Sequence, residues 1–187
     1  LYNYLIKRDG TIVTLTAENV KANHAGRGMQ TVLTRMQKNL PVTGNASGPG
    51  KISANARLVG VSIINDGLGQ DVPEAQMDAL VDLCAFLCDG HKWNPDVAVV
   101  GHKEWTSRKV DPSFSMPDLR ALIHRRMVTD APTMVLPKEP EDGIVSYPGL
   151  LKKGSRSHAV RFVQACVGAQ QDGIFGRATQ AKVIRWQ

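Results

Sequence analysis

The sequence lacks several features that would place it in a particular class of protein. No apolar run approaches the roughly 20 residues that a membrane-spanning helix needs. Three cysteines are too few, and odd in number, for a disulfide framework. Proline and glycine, at 10 and 17 of 187 residues, are too scarce for a low-complexity chain, and 42% hydrophobic residues suffice for a core. These absences exclude a wholly disordered chain and a membrane-spanning one.

Charge is distributed unevenly along the chain. Within a net charge of +6, residues 148–187 hold seven basic side chains against one acidic, whereas residues 129–147 hold one against four. The acidic stretch contains three prolines and has no periodicity, which is typical of a semi-rigid linker. We therefore predict a domain over residues 1–128, a linker over 129–147 and a small unit over 148–187.

The cationic tail fits an anionic partner, which is either nucleic acid or a cell-wall polymer, or it is only a solvated surface. Its aromatic residues do not alternate with arginines in a stripe, which argues against nucleic acid.

Apolar spacing predicts a mixed α/β fold for the first domain. Asp9-Gly10 lies between two β-prone segments and indicates a hairpin. Residues 43–55, rich in Gly, Asn and Ser, are predicted to form a surface loop. The remaining predicted elements are strands over Leu58–Asn65 and Val97–Val100 and helices over Pro73–Asp89 and Met116–Met127. Together they predict a mixed central sheet flanked by helices.

Two groups of residues have the chemistry of metal ligands. Cys84, Cys88 and His91 share one helical face, but that face is apolar, so core packing is the better interpretation. His102 and Asp111 lie in VVGHKEWTSRKVDPSF, which leaves a predicted buried strand and becomes a loop. They offer a nitrogen and an oxygen donor for Zn²⁺, although a capped, salt-bridged loop has the same composition.

Lys109 and His24 are two further candidate functional residues. Lys109 lies two residues before Asp111, so its ammonium can reach the same point and stabilise an oxyanion. His24 is flanked by small residues that permit close approach by a ligand, although taken alone a loop histidine with a satisfied ring is the better interpretation.

The first 128 residues resemble the zinc-dependent N-acetylmuramoyl-L-alanine amidases of the peptidoglycan-recognition superfamily, in the form found in phage endolysins. The matching segments, in order, are YNYLIKRDGT, NHAG, LVGVSIINDG and GHKEWTSRKVDPSF. The resemblance implies hydrolysis of the amide between N-acetylmuramic acid and L-alanine in bacterial peptidoglycan. It also implies release from the host cytoplasm to the wall during lysis, or secretion. From the composition we expect neither nucleic acid nor a membrane as a partner.

The resemblance assigns a role to six residues. It makes His102 and Asp111 zinc ligands, and gives Lys109 the task of steadying the tetrahedral intermediate. Tyr2 falls where related phage amidases place a tyrosine beside the zinc-bound water. The remaining two, His24 and Trp105, are expected to line the peptide groove.

Two departures from the family pattern qualify these expectations. The family supplies a first zinc histidine on a strand before the hairpin, and this chain starts at Leu1, after that strand. We therefore expect the 187-residue chain to bind zinc poorly and to hydrolyse little by itself. Many members also carry a glutamate where this chain has Ser62, which gives Tyr2 and Lys109 more weight.

Residues 151–187 resemble the peptidoglycan-binding domain of three short helices, through LKKGSRSHAVRFVQ and the DGIFGRAT turn. The periodicity fits a small helical unit without a ligand equally well, and only the resemblance favours wall binding. Two other functions remain open: a catalytically silent wall-recognition protein of the same fold, and a basic nucleic-acid binder.

Overall fold

The computed structural model describes residues 2–66, 70–129, 151–156, 160–161, 163–164 and 167–186. The chain divides into two compact units, Leu1–Lys138 and Glu139–Gln187. The predicted linker lies almost wholly outside the described residues, so the predicted domain boundaries stay predictions.

The described residues of the first unit form two small sheets. The five strands are β1 (Tyr4–Ile6), β2 (Ile12–Thr14), β3 (Arg27–Gly28), β4 (Ile52–Ser53) and β5 (Val61–Ile63). The larger sheet has the order β2-β1-β5, in which β1 pairs antiparallel with β2 and parallel with β5. Strands β3 and β4 form a separate antiparallel pair. The larger sheet is therefore mixed, as the sequence predicts.

Six helices are described in the two units. They are α1 (Gln30–Gln37), α2 (Glu74–His91), α3 (Pro95–Ala98), α4 (His102–Trp105), α5 (Met116–Thr129) and α6 (Arg177–Trp186). Among the described residues, none of these helices combines the length and the apolar character needed to cross a membrane.

Two hydrophobic clusters form the core of the first unit. The larger one joins β1 to the buried faces of α2 and α5, with Tyr4, Leu83 and Ile123 among its members. The smaller one joins α1 to the loop that carries α4, and Trp105 lies within it. The loop with the candidate zinc ligands thus rests on the core through α4.

The mixed α/β prediction is confirmed, and three elements lie close to their predicted bounds: the hairpin, α2 and α5. The strand predicted over Val97–Val100 is wrong, because residues 95–98 are helical. Asn94 caps this helix by accepting the N–H of Asp96 at 3.0 Å, and Pro95 is its first residue. This capping signal outweighs the β-branched composition.

Buried Asn3 joins three segments at the start of β1. Its Oδ1 accepts the N–H of Gly60 at 2.8 Å, and its Nδ2 donates to the carbonyl of Ala17 at 2.8 Å. Its main-chain N–H donates to the carbonyl of Gly60, also at 2.8 Å. These bonds hold the start of β1, and with it residue 2, next to the segment that precedes β5.

The described part of the second unit is organised by buried Gln164. Its Nε2 donates to Oδ1 of Asp172 at 2.7 Å and to Oγ1 of Thr179 at 2.9 Å, and its Oε1 accepts the N–H of Gly173 at 2.9 Å. One side chain thus ties the Asp172-Gly173 turn to α6. Of the three predicted helices, the one described in full is α6.

Candidate active site

His102 begins the short helix α4, immediately after Gly101. Its Nδ1 lies 2.5 Å from Oδ2 of Asp111, and its Nε2 lies 3.1 Å from the main-chain oxygen of His24. Because a carbonyl can only accept, Nε2 carries a hydrogen and Nδ1 is the nitrogen directed at the carboxylate. The structure therefore brings the two predicted zinc ligands together.

Asp111 reaches His102 because Lys103 holds the loop back against α4. The N–H of Lys103 donates to the carbonyl of Asp111 at 2.8 Å, and its Nζ donates to that of Phe114 at 2.7 Å. The Asp111 side chain is 54% exposed. Partial burial alone would raise the pKa of Asp111, but the hydrogen bond with His102 and the charges of His102 and Lys109 lower it below its ordinary value.

Tyr2 and Lys109 approach the same carboxylate. Burial raises the pKa of the Tyr2 hydroxyl, and the negative charge of Asp111 raises it further, while a hydrogen bond with the Ser62 side chain opposes this. Lys109 is exposed, and its charge acts on Asp111. The structure therefore places both predicted catalytic residues within electrostatic reach of the His102–Asp111 pair.

His24 supports the site through its main chain, and its ring packs against the residues just before β5. Its Nε2 lies 2.9 Å from the carbonyl of Leu58, and burial lowers the pKa of the ring. A Cβ on Gly60 would lie 2.5 Å from Cγ of His24, so only glycine leaves room for the imidazole there. The main-chain oxygen of His24 then faces His102.

Trp105 lies in the core instead of on an open surface. Its side chain is 2% exposed, and a Cβ on Gly28 would lie 2.2 Å from its Cε2. Its Nε1 is buried and has no hydrogen-bond partner among the described residues. Because the ring is buried, it cannot contact a bound peptide in this structure. It belongs instead to the smaller hydrophobic cluster, beneath the loop that carries α4.

Sequence reasoning missed the side chains that hold the His24 turn in place. Oδ1 of Asn55 accepts the N–H groups of Ala25 and Gly26 at 3.0 and 2.9 Å. Arg108 donates to the main-chain oxygen of Arg27 at 2.6 Å. Neither contact has a local sequence signal, because both join distant segments. The Asn55 contact spans about 30 residues and the Arg108 contact spans 81.

The alternative metal group on α2 is a core feature. Cys84 and Cys88 are free and buried, and burial raises their pKa values to about 12 and about 11. His91 instead lies 2.7 Å from Oε2 of Glu18 and stacks on Trp93. Core packing, the interpretation preferred from the sequence, fits these surroundings.

His102 and Asp111 are side chains of the kinds that bind zinc, and they lie in direct contact. A metal-binding histidine usually donates its other ring N–H to a carbonyl or carboxylate, as His102 does to His24. Catalytic zinc normally has three protein ligands. Within the described residues, no group of three His, Cys, Asp or Glu side chains is close enough to hold a metal ion. The donors present therefore suit zinc in kind but number two.

The first unit is an α/β unit that brings a histidine and an aspartate side by side, with a tyrosine and a lysine in electrostatic reach. A sequence profile described as N-acetylmuramoyl-L-alanine amidase matches residues 1–114, and the chain belongs to this family. Comparisons with curated proteins and with solved structures found no significant match. An amidase domain implies peptidoglycan as its substrate.

Proposed function

We propose that the chain hydrolyses the amide between N-acetylmuramic acid and L-alanine with the help of zinc bound by His102 and Asp111. The observation that carries the proposal is the 2.5 Å separation of His102 Nδ1 and Asp111 Oδ2, with Nε2 of His102 occupied by the His24 carbonyl. This arrangement places two good zinc donors side by side. Zinc bound there would lower the pKa of its water to about 7 and polarise the scissile carbonyl.

The other side chains of the site have separate tasks in this proposal. The lowered pKa of Asp111 keeps its carboxylate ionised at neutral pH, as a ligand requires. The raised pKa of Tyr2 keeps its hydroxyl protonated, so Tyr2 donates a hydrogen bond to the reacting groups. The Lys109 ammonium neutralises the negative charge that develops on the scissile carbonyl oxygen. Ser62 has no carboxylate and does not serve as general base.

We place this activity in phage lysis, in which the enzyme leaves the host cytoplasm and attacks the wall. The support is the resemblance of GHKEW…RKVDP and NHAGRG to phage endolysins, together with the basic excess of residues 148–187. Residues 148–187 then bind the wall and hold the amidase domain near its substrate. Cell-wall sedimentation of the full chain tests this part, because removal of residues 148–187 is expected to reduce the bound fraction.

A second function, wall recognition without cleavage, is favoured by the number of metal donors. The described residues supply two, and two protein ligands predict weak zinc binding. Calorimetric titration of the full chain with zinc measures this directly. A tight stoichiometric site would favour the enzyme.

Release of new L-alanine amino termini from purified peptidoglycan separates the two functions. Because the described residues supply two zinc donors, we expect slow release at saturating zinc, no release with a chelator, and loss of release in His102→Ala and Asp111→Ala. His124→Ala is the matched control, because His124 pairs with Asp96 at 3.2 Å elsewhere in the same unit. Wall binding by the wild-type chain without any release, at saturating zinc, would contradict the amidase proposal.

A further inference from the structure

Arg120 is a buried arginine of α5, 4% exposed, whose two terminal guanidinium nitrogens both donate to the segment that carries His102. One terminal nitrogen donates to the main-chain oxygen of Val99 at 2.9 Å and to Oε2 of Glu104 at 3.0 Å. The other donates to Oε1 of Glu104 at 2.9 Å. Glu104 is itself 3% exposed, so the pair is a buried, bidentate ion pair.

The acceptors of this ion pair lie on both sides of His102 in the sequence. Val99 precedes His102 by three residues and Glu104 follows it by two. Oε2 of Glu104 also accepts the N–H of Gly101, at 3.1 Å. Helix α4 has only four residues, and one helical turn does not hold its shape without outside contacts.

We propose that Arg120, acting through Glu104, is the positioning residue that orients the His102 imidazole. The pair fixes the main chain from residue 99 to residue 104, and this fixes which nitrogen of His102 faces Asp111 and which faces the His24 carbonyl. Its consequence for catalysis rests on the proposed function, since only a reacting site depends on that orientation. Arg120 touches neither the ring nor the substrate.

A purely stabilising role explains this pair less well. Apolar pairs of similar volume often stabilise a core as well as a buried ion pair does, because both charges must be desolvated. A planar guanidinium with three short bonds restricts direction as well as distance, which an apolar contact does not. The same helix offers a comparison in Arg126, which pairs with Asp82 and Asp78 of α2.

The test compares Arg120→Lys and Glu104→Gln with the matched control Arg126→Lys, each in the full chain, first by NMR without metal and then by titration with zinc. The carbon-bound ring protons of His102, assigned by their loss in His102→Gln, report on the surroundings of the imidazole. We expect both Arg120→Lys and Glu104→Gln to shift these signals and to weaken zinc binding by about 10–100-fold. We expect Arg126→Lys to lower the melting temperature without either effect.

Two results would overturn the positioning role. One is a folded Arg120→Lys protein whose His102 signals match those of the wild type, and the other is an equal shift in Arg126→Lys. If Arg120→Lys does not fold, the isosteric Glu104→Gln decides in its place. The ring signals are read without substrate, so a chain that releases no L-alanine but still shows these shifts contradicts the proposed function and leaves the positioning role intact.

Discussion

His24 and His102 are linked from main chain to ring: Nε2 of His102 lies 3.1 Å from the carbonyl oxygen of His24. The His24 imidazole is turned away from this contact and bonds the carbonyl of Leu58 instead. His24 therefore influences the candidate zinc ligand through the position of its backbone, and that position depends on the space left by Gly60.

Gly60→Ala should disturb the site although residue 60 carries no functional group. The added Cβ would meet Cγ of His24 at 2.5 Å, which forces the ring and its backbone to move. We expect a loss of about 1–3 kcal/mol in the free energy of unfolding, as for other overpacked cores, together with weaker zinc binding. Chemical denaturation and calorimetry measure the two effects.

Gly90→Ala is the control for that substitution, since nothing lies within 4 Å of a Cβ at residue 90. A Gly60→Ala protein as stable as Gly90→Ala, with unchanged zinc affinity, would contradict the dependence of the site on Gly60.

The residues of the candidate site were predictable where the sequence carries them in one local segment. His102, Lys109 and Asp111 fall within ten residues that follow a buried segment, and the structure brings them together. The hairpin was predictable for the same reason, because Asp9-Gly10 is a local turn signal and Gly10 has a φ of 84°.

The supports of the site were not predictable, because they join distant segments. Arg120 lies 16 residues from Glu104, and nothing in either neighbourhood indicates the ion pair. Trp105 was expected in a groove, and its burial depends on the approach of Gly28, which a single sequence does not reveal. The helical start does have a local signal, because Asn94 followed by Pro95 is typical of a helix N-terminus. This signal predicts a helix even though β-branched residues follow.

Lys109→Ala should slow amide hydrolysis with little effect on stability. Lys109 is exposed, so its removal opens no cavity, while its charge is the one expected to stabilise the oxyanion. Loss of one oxyanion-stabilising group typically lowers kcat by about 100–1,000-fold. The measurement is the rate of L-alanine release at saturating zinc, with Lys7→Ala in the hairpin turn as the control. Equal rates in the two variants would remove Lys109 from the mechanism.

Tyr4→Phe should change how stability depends on alkaline pH. Burial and a hydrogen bond to Glu18, at 2.7 Å, raise the pKa of Tyr4 above its ordinary value of 10.0. A raised pKa in the folded state gives stability that is present in full below pH 10 and is lost as the pH rises further.

The Tyr4→Phe protein lacks both the bond and this alkaline loss. We expect its free energy of unfolding to be lower at pH 7 by about 1.5–3 kcal/mol, the usual value for a hydrogen bond to a charged group. The difference from the wild type should shrink above pH 10. Urea denaturation across pH 7–11 measures it, and a difference that stays constant across this range would contradict the prediction.

Cys84 and Cys88 should resist alkylation in the folded protein at pH 8. Burial raises the pKa of these thiols to about 12 and about 11, so almost no thiolate forms at that pH, and the core blocks access to it. Mass spectrometry of the peptides that contain each residue, after iodoacetamide treatment with and without denaturant, measures the labelling. Equal labelling in both conditions would show that α2 opens readily in the native state.

Asp172→Asn should alter the acid response of the turn in the second unit. The hydrogen bond from Gln164 and that from the N–H of Ile174 lower the pKa of Asp172 below its ordinary value of 3.8. A lowered pKa in the folded state gives stability that is present above that ordinary value and is lost as the pH falls through the lower folded value.

Protection of the Gly173 and Ile174 amides from hydrogen exchange, corrected for the intrinsic rate at each pH, should therefore fall below pH 4 in the wild type and stay nearly constant in Asp172→Asn. Asp9→Asn is the control, because Asp9 makes the corresponding bond to the N–H of Thr11 in the hairpin. If wild-type protection at residues 173 and 174 did not change from pH 6 to pH 2, the ionised carboxylate would not be what holds this turn.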